Sequence, residues 1–409
     1  MGGMPSTLPE GEPAPVDGAL PESALAGLGS RPFGVYLHVP FCATRCGYCD
    51  FNTYTAAELG SGLTRESWAD IAIAEVRLAR RVLGNIKLPA ATVYIGGGTP
   101  TLLPPGDLAR VLAAVAAEFG LQRDAEITAE ANPESVDVRS LRKLNAAGFT
   151  RISLGMQSVR PHVLTVLDRV HTPGRPVEAV AEAHDAGFEH VNLDLIYGAP
   201  GESMPDWLAS VRAAIDAGAD HVSAYALIVE PGTRLAARIQ RGELPMPDDD
   251  EQADKYLLAD ELLTSAGYRW YEVSNWAATE QARCRHNGLY WTSADWWGVG
   301  PGAHSHIGGV RWWNVKHPAT WARRLAARQS PAKAREVLDA STRRVERILL
   351  ETRLVDGIDL AVLDEAGRAA THDLMADGLL ERQRLETGRL VLTRRGRLMA
   401  DAVVRNLVA

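Results

Sequence analysis

The chain has 409 residues, 46% of them apolar, and a formal charge of −8. That length allows one large domain with a small appendage, and the acidic balance excludes a general electrostatic pull toward nucleic acid or anionic membrane. Four cysteines, three of them close together, exclude a disulfide framework and fit a reducing compartment, so a cytoplasmic location is expected.

Residues 1–30 hold no Lys or Arg and are dominated by Pro, Gly, Ala, Ser and Glu. A secretory signal needs a charged start and an apolar run, so none is expected, and the stretch reads as a disordered tail. Gly2 and Ser6 fit the M-G-x-x-x-S myristoylation pattern, a short match of little weight in such a tail. No apolar run reaches the ~18 residues of a membrane span, so no stable membrane insertion is expected.

Residues 31–267 alternate β-type runs with helix-period segments. The strands predicted are Val35–Val39, Thr92–Ile95, Glu126–Glu130, Arg151–Leu154, Val191–Ile196 and His221–Leu227. Between them lie helical patterns at Trp68–Leu83, Gly106–Phe119, Val138–Ala147, Pro176–Ala186 and Pro205–Ala217, three of which stop at a glycine: Gly148, Gly187 and Gly218. Such repetition implies an α/β fold with a parallel sheet, and six units fit an incomplete (β/α)6 barrel better than a closed eight-unit one. A doubly wound sheet is the alternative.

After the first strand comes Cys42-Ala-Thr-Arg-Cys46-Gly-Tyr-Cys49, the spacing C-x3-C-x2-C. Three local thiolates can hold an iron–sulfur cluster, and a four-iron cluster then keeps one iron open for a small chelating molecule. A zinc knuckle short of one ligand and three buried thiols are the other readings. Gly96-Gly97-Gly98-Thr99-Pro100 follows the second strand, where missing Cβ atoms let backbone approach a ligand. Glu130, Gln157, Arg169 and Asp194 stand as single polar residues in apolar surroundings, at or beyond later strand ends.

Residues 268–330 carry eight of the ten tryptophans among Gly and His. Within them, Cys284-Arg-His286-Asn287-Gly-Leu-Tyr290-Trp291 offers an imidazole beside two aromatic rings, the apolar bed and axial ligand a haem requires. The plainer reading is a turn at Asn287-Gly288 with aromatics sealing the fold. Cys284 is a further candidate haem contact or a core residue; His304 and His306 are further candidate ligands.

Residues 331–409 read as a winged-helix-like α+β module. Helices are expected around Val345–Arg353, Leu360–Ala366 and Ala369–Asp377, then strands at 378–381 and 390–393 about a polar turn, then a closing helix Arg394–Val408. Its 14 Lys+Arg against 13 Asp+Glu favour packing or docking over DNA binding.

Together these motifs resemble the radical S-adenosylmethionine superfamily, in the branch of oxygen-independent coproporphyrinogen III oxidase and its relatives. Glu-Ala-Asn-Pro (130–133), Ser-Leu-Gly-Met-Gln-Ser (153–158), Asp168-Arg169 and Asn-Leu-Asp-Leu-Ile-Tyr-Gly-Ala-Pro (192–200) carry the likeness, which covers roughly residues 33–400. It implies a [4Fe–4S] cluster on Cys42, Cys46 and Cys49. It also implies S-adenosylmethionine contacts from Tyr36, Tyr48, Gly97, Gly98, Thr99, Glu130, Gln157, Arg169 and Asp194. True oxidases place a fourth cysteine two residues after the third, where this chain has Phe51. The run His286-Asn287-x-x-Tyr290-Trp291 resembles the haem-associated signature of HemW-type haem chaperones, implying haem contact there and transfer to an acceptor, a membrane or respiratory protein. The oxidase alternative would need a low-potential electron donor.

Overall fold

The computed structural model describes residues 10–59 and 63–408, and the myristoylation pattern lies outside them. Thirteen strands form one sheet. The first is β1 (Glu12–Pro13). Six follow in the expected region: β2 (Phe33–Val39), β3 (Ala90–Gly97), β4 (Leu121–Ala131), β5 (Arg151–Gln157), β6 (His190–Tyr197) and β7 (His221–Ala226). The remainder are β8 (Arg269–Glu272), β9 (Asn275–Ala277), β10 (Asp295–Val299), β11 (His304–Ile307), β12 (Val310–Asn314) and β13 (Ala332–Val337). Strands β2 to β7 are parallel neighbours in chain order. Among the described residues the sheet order runs from β1 at one edge to β8 at the other, in keeping with an incomplete barrel.

The crossover helices begin where side chains satisfy their free N–H groups. Thr64, Asp137 and Ser203 each form a capping box, starting Arg65–Leu83, Val138–Ala146 and Met204–Asp216. Gly148, Gly187 and Gly218 follow helix ends with φ of +102°, +92° and +77°, a conformation costly for any residue with a Cβ.

Alternation along the strands gives the sheet two unlike faces. Val35, Leu37, Val93, Ile95, Ile152, Leu154 and Leu193 are buried in one core with Trp68, Val111 and Trp207 of the helices. The opposite face carries Tyr36, Tyr94, Glu130, Ser153, Asp194 and Ser223, so the concave side is polar. The sheet curls strongly: Leu235 N, beyond β7, donates to Gly47 O, beyond β2, at 2.8 Å.

Three expectations are corrected. Residues 10–30 are not a loose tail: β1 pairs with β13, Ala24 is buried, and Leu20, Leu25 and Leu28 pack on the core. Arg335 Nε also donates to Glu12, at 2.6 Å. Residues 268–330 are not a separate segment. They supply β8 and β9 to one edge and β10, parallel to β2, with β11 and β12 to the other.

The C-terminal module begins after β13, since residues 332–337 complete the sheet, and has its own core around Ile348, Leu374, Leu390 and Val403. Its expected second and third helices become a 3-10 turn at Leu360–Val362 and one helix, Glu365–Ala376. Asp364 caps that helix through Gly367 N, so the glycine starts it rather than breaking it. The wing shrinks to one Leu380–Leu392 bridge, with the ladder running between β14 (Ile358–Asp359) and β15 (Arg389–Leu390). The expected polar turn holds helix formers instead, Arg382–Glu386, and folds as a short helix. The closing helix divides into Arg394–Leu398 and Ala400–Val408.

Candidate functional site

The loop after β2 carries Cys42, Cys46 and Cys49, all free thiols and partly buried. It is pinned at both ends: Cys42 N donates to Tyr54 O at 3.0 Å and Gly47 N to Leu167 O at 3.0 Å. The glycine run after β3 passes directly behind it. A Cβ on Gly98 would stand 2.4 Å from Phe41 O and 2.9 Å from Cys42 Sγ, so only glycine fits against this loop. Gly97, at φ +116°, lies against the His38 ring and donates its N–H to Glu130 Oε2 at 2.9 Å. Thr99 is buried, and its N–H donates to Phe41 O at 2.8 Å.

Arg169 reaches across from the loop after β5. Its Nη1 donates to Cys46 Sγ at 3.4 Å, Nη2 to Gly155 O at 3.2 Å, and Nε to His171 Nε2 at 3.1 Å. Burial opposes the guanidinium charge, but Cys46 and Tyr48 more than offset it, and the pKa is raised. Gln157 ends β5 beside a bulge with φ of +59°, an unusual conformation outside glycine that aims its side chain at His171. His171 is lowered to about 4 by burial and by Arg169, and its buried Nδ1 has no partner. A cleft of about 300 Å³ opens here, walled by Met156, Ser158, Arg169, His171 and Pro173.

Glu130 and Asp194 sit deeper on the concave face. Glu130 also accepts from Tyr94 Oη at 2.8 Å, and burial pushes its carboxyl up to about 7. Asp194 accepts from Asn192 at 2.8 Å and Ser153 at 3.0 Å; burial raises it against those bonds. Tyr36 bonds His38 Nδ1 at 3.0 Å and stacks toward Tyr94, while Tyr48 packs against an apolar cluster containing Leu167, Ile196 and Leu235. The structure brings the cysteine loop with Tyr48, the glycine run, Glu130, Gln157 and Arg169 to one end of the parallel strands, with Tyr36 and Asp194 lower on the concave face, in mid-strand.

The chemistry of this end fits an iron–sulfur cluster. Burial raises Cys42 and pushes Cys49 up to about 11, so isolated thiols would stay protonated; bound iron favours thiolates, and Arg169 adds a fixed positive charge. Among the described residues, no three His, Cys, Asp or Glu converge on a single-ion position, whereas a cluster spreads its ligands over several irons.

The His286–Trp291 motif lies at the other end. Helix Arg285–Trp291 covers the starts of β2 and β3, with His286 only 1% exposed. Its Nδ1 pairs with Thr92 Oγ1 at 2.6 Å and its Nε2 with Tyr290 Oη at 2.8 Å. The ring stacks on Tyr94 at 5.0 Å. Glu126 accepts from the backbone N–H groups of Arg285 and His286, both at 3.0 Å, and sits 3.8 Å from buried Arg151. Cys284 is buried with its Sγ 3.7 Å from Glu126, a core position without access for haem. Burial raises the Glu272 carboxyl, and Asn287 and Trp291 beside it act against that rise. His286 thus presents no free nitrogen to an iron.

Sequence reasoning missed Tyr94, His171, Glu126 and Arg151. The signal for Tyr94 was present: Thr92, Tyr94 and Gly96 share one strand face with Tyr36 and Glu130 as neighbours.

The Radical SAM superfamily model matches residues 36–214. Heme chaperone HemW of Mycobacterium tuberculosis (strain H37Rv) is 54% identical over 385 residues, covering 94% of this chain and 97% of that one. The mitochondrial radical S-adenosyl methionine domain-containing protein 1 of Mus musculus is 38% identical over 287 residues, 70% of this chain and 62% of that one. Coproporphyrinogen III oxidase (HemN) from Escherichia coli, a radical SAM enzyme, matches in structure with a TM-score of 0.78. At 22% identity over 94% of this chain and 91% of that one, the likeness is one of fold.

Proposed function

The chain belongs to the HemW family within the radical SAM superfamily, and from that premise we propose that it is a haem chaperone, binding haem and passing it to an acceptor protein. The observation that carries this reading is 54% identity across nearly the whole of both chains. Cys42, Cys46 and Cys49 would hold a [4Fe–4S] cluster. Tyr36, Tyr48, Gly97, Gly98, Thr99, Glu130, Gln157, Arg169 and Asp194 would surround S-adenosylmethionine. A reduced cluster, when bound, supplies an electron to that molecule.

The chain's own residues have definable parts in this. Arg169 holds positive charge against Cys46, and Glu130 offers a carboxylate to a ligand's amino group once deprotonated. Glu130 also fixes the Gly97 backbone. A reducing cytoplasmic setting suits three unpaired thiols, and among the described residues no helix is long and apolar enough to cross a membrane. The acceptor is a haem-dependent membrane or respiratory protein in this reading.

The oxidase alternative shares the fold but meets Phe51, 58% exposed, where the oxidases have a cysteine. The test is a pair of assays on anaerobically reconstituted protein. Wild type should carry iron and sulfide that Cys46→Ser loses, and should bind haem and load an apo-acceptor. Turnover of coproporphyrinogen III at enzyme-like rates, or haem that never binds, would overturn the proposal.

A further inference from the structure

A haem iron takes a neutral imidazole with a free ring nitrogen on an accessible face. His286 has neither the nitrogen nor the access. His306 is buried, with Nδ1 bonded to Ala294 O at 2.8 Å. His38 and His221 are held through both ring nitrogens, whereas His162, His171, His184 and His190 are each held through one. Among the described residues, His304, His317 and His372 alone have neither ring nitrogen paired; one bonded nitrogen does not bar the other from iron, so the choice rests on surroundings.

His304 differs from the other two in its surroundings. It is exposed and opens β11, and its ring stacks on Trp313 at 6.1 Å and 27°. Strand register puts it on the face that continues the polar concavity: Trp296 opposes Gly34 of β2 and His306 of β11, and His304 opposes Trp313. Half-buried Trp296 adds apolar surface, its Nε1 donating to His304 O at 3.1 Å. The turn leading into His304 sits at the cluster end, where Asn52 Nδ2 donates to Pro301 O at 3.0 Å and Lys316 O at 2.8 Å.

We propose that haem docks on this shoulder of β10–β12, with His304 as the axial ligand, Trp296 as apolar bed, and Lys316 and Arg311 facing the propionates. The inference rests on the haem-chaperone reading and moves its ligand from His286 to His304. Crowding of the ring by its neighbours, together with Lys316 and Arg311, lowers the His304 pKa although the residue keeps an exposed edge, so the ring stays neutral and able to donate to iron. Arg311 already pairs with Glu336 and Glu346, so Lys316 is the less committed cation. The shoulder would hold the cargo beside the cysteine loop.

The experiment is a haem titration of the reconstituted full chain, read by absorption and by the iron's electron paramagnetic resonance. The proteins compared are wild type, His304→Ala, His317→Ala and His286→Phe. His304→Ala should lose the histidine-ligated spectrum, regain it with added imidazole, and bind haem roughly tenfold or more weakly, about 1.4 kcal/mol. His317→Ala and His286→Phe should keep the wild-type spectrum. An unchanged spectrum in His304→Ala overturns the site, as does its loss in His286→Phe or His317→Ala alone. Wild type that binds no haem at all overturns the function itself, a result distinct from either.

Discussion

The two ends of the parallel strands are built from similar polar residues to opposite effect. At the floor, Glu126, Arg151, His286, Thr92 and Tyr290 engage one another, and little is left over beyond one nitrogen of Arg151. At the rim, three thiols, an unpartnered His171 nitrogen and a left-handed Gln157 lie around Arg169, beside a cleft that Arg169 and His171 line. Satisfied groups stabilise a fold, while groups held ready without partners await a ligand. The haem-like motif falls at the closed end, so letters resembling a ligand set need not form one.

The sharpest way to break this contrast is at the floor. Glu126→Ala would strip buried Arg151 of its counter-charge and leave two backbone N–H groups unpaired, a loss of about 3–5 kcal/mol for a broken buried pair. Chemical denaturation should show it; a shift below 1 kcal/mol would mean that the floor is not holding the fold. At the rim the same size of change should act on loading instead. Gly98→Ala pushes a Cβ into Phe41 O and Cys42 Sγ. Cluster content should drop severalfold while stability falls by only about 1 kcal/mol, as iron assay and melting would report.

The smallest effect is a pH dependence. Glu130 titrates at about 7 in the fold against an ordinary 4.5. With the folded value raised, its contribution is fully present below about 4.5 and fades as pH rises through about 7. Ligand-free protein should therefore lose stability over that window, and Glu130→Gln should flatten that part of the curve. An identical slope in the variant would assign the titration elsewhere, with Glu75, also pushed up to about 7 by burial, the next candidate.

Local pattern made much of the fold legible. Each of the six parallel strands has a β-rich run followed by a helix that starts at an N-cap or ends at glycine, and each was found to within five residues. The cysteine loop and glycine run were equally plain, because their spacing is dictated by what they must touch. Strands β8–β13 were not visible. Their Trp, His and Gly content reflects packing against β2, about 260 positions away, and β7, about 55 away, and short edge strands leave little alternation to read. The part played by His286 was hidden for the same reason: Thr92 lies 194 positions away in the chain.

The pairing of β1 with β13 has one more consequence. A two-residue strand containing Pro13 offers a newcomer almost no free ladder, so the start of the chain seals a border that six-residue β13 would otherwise present bare. Molecules lacking residues 10–30 would be expected to stick to one another through that border, however sound their cofactor chemistry.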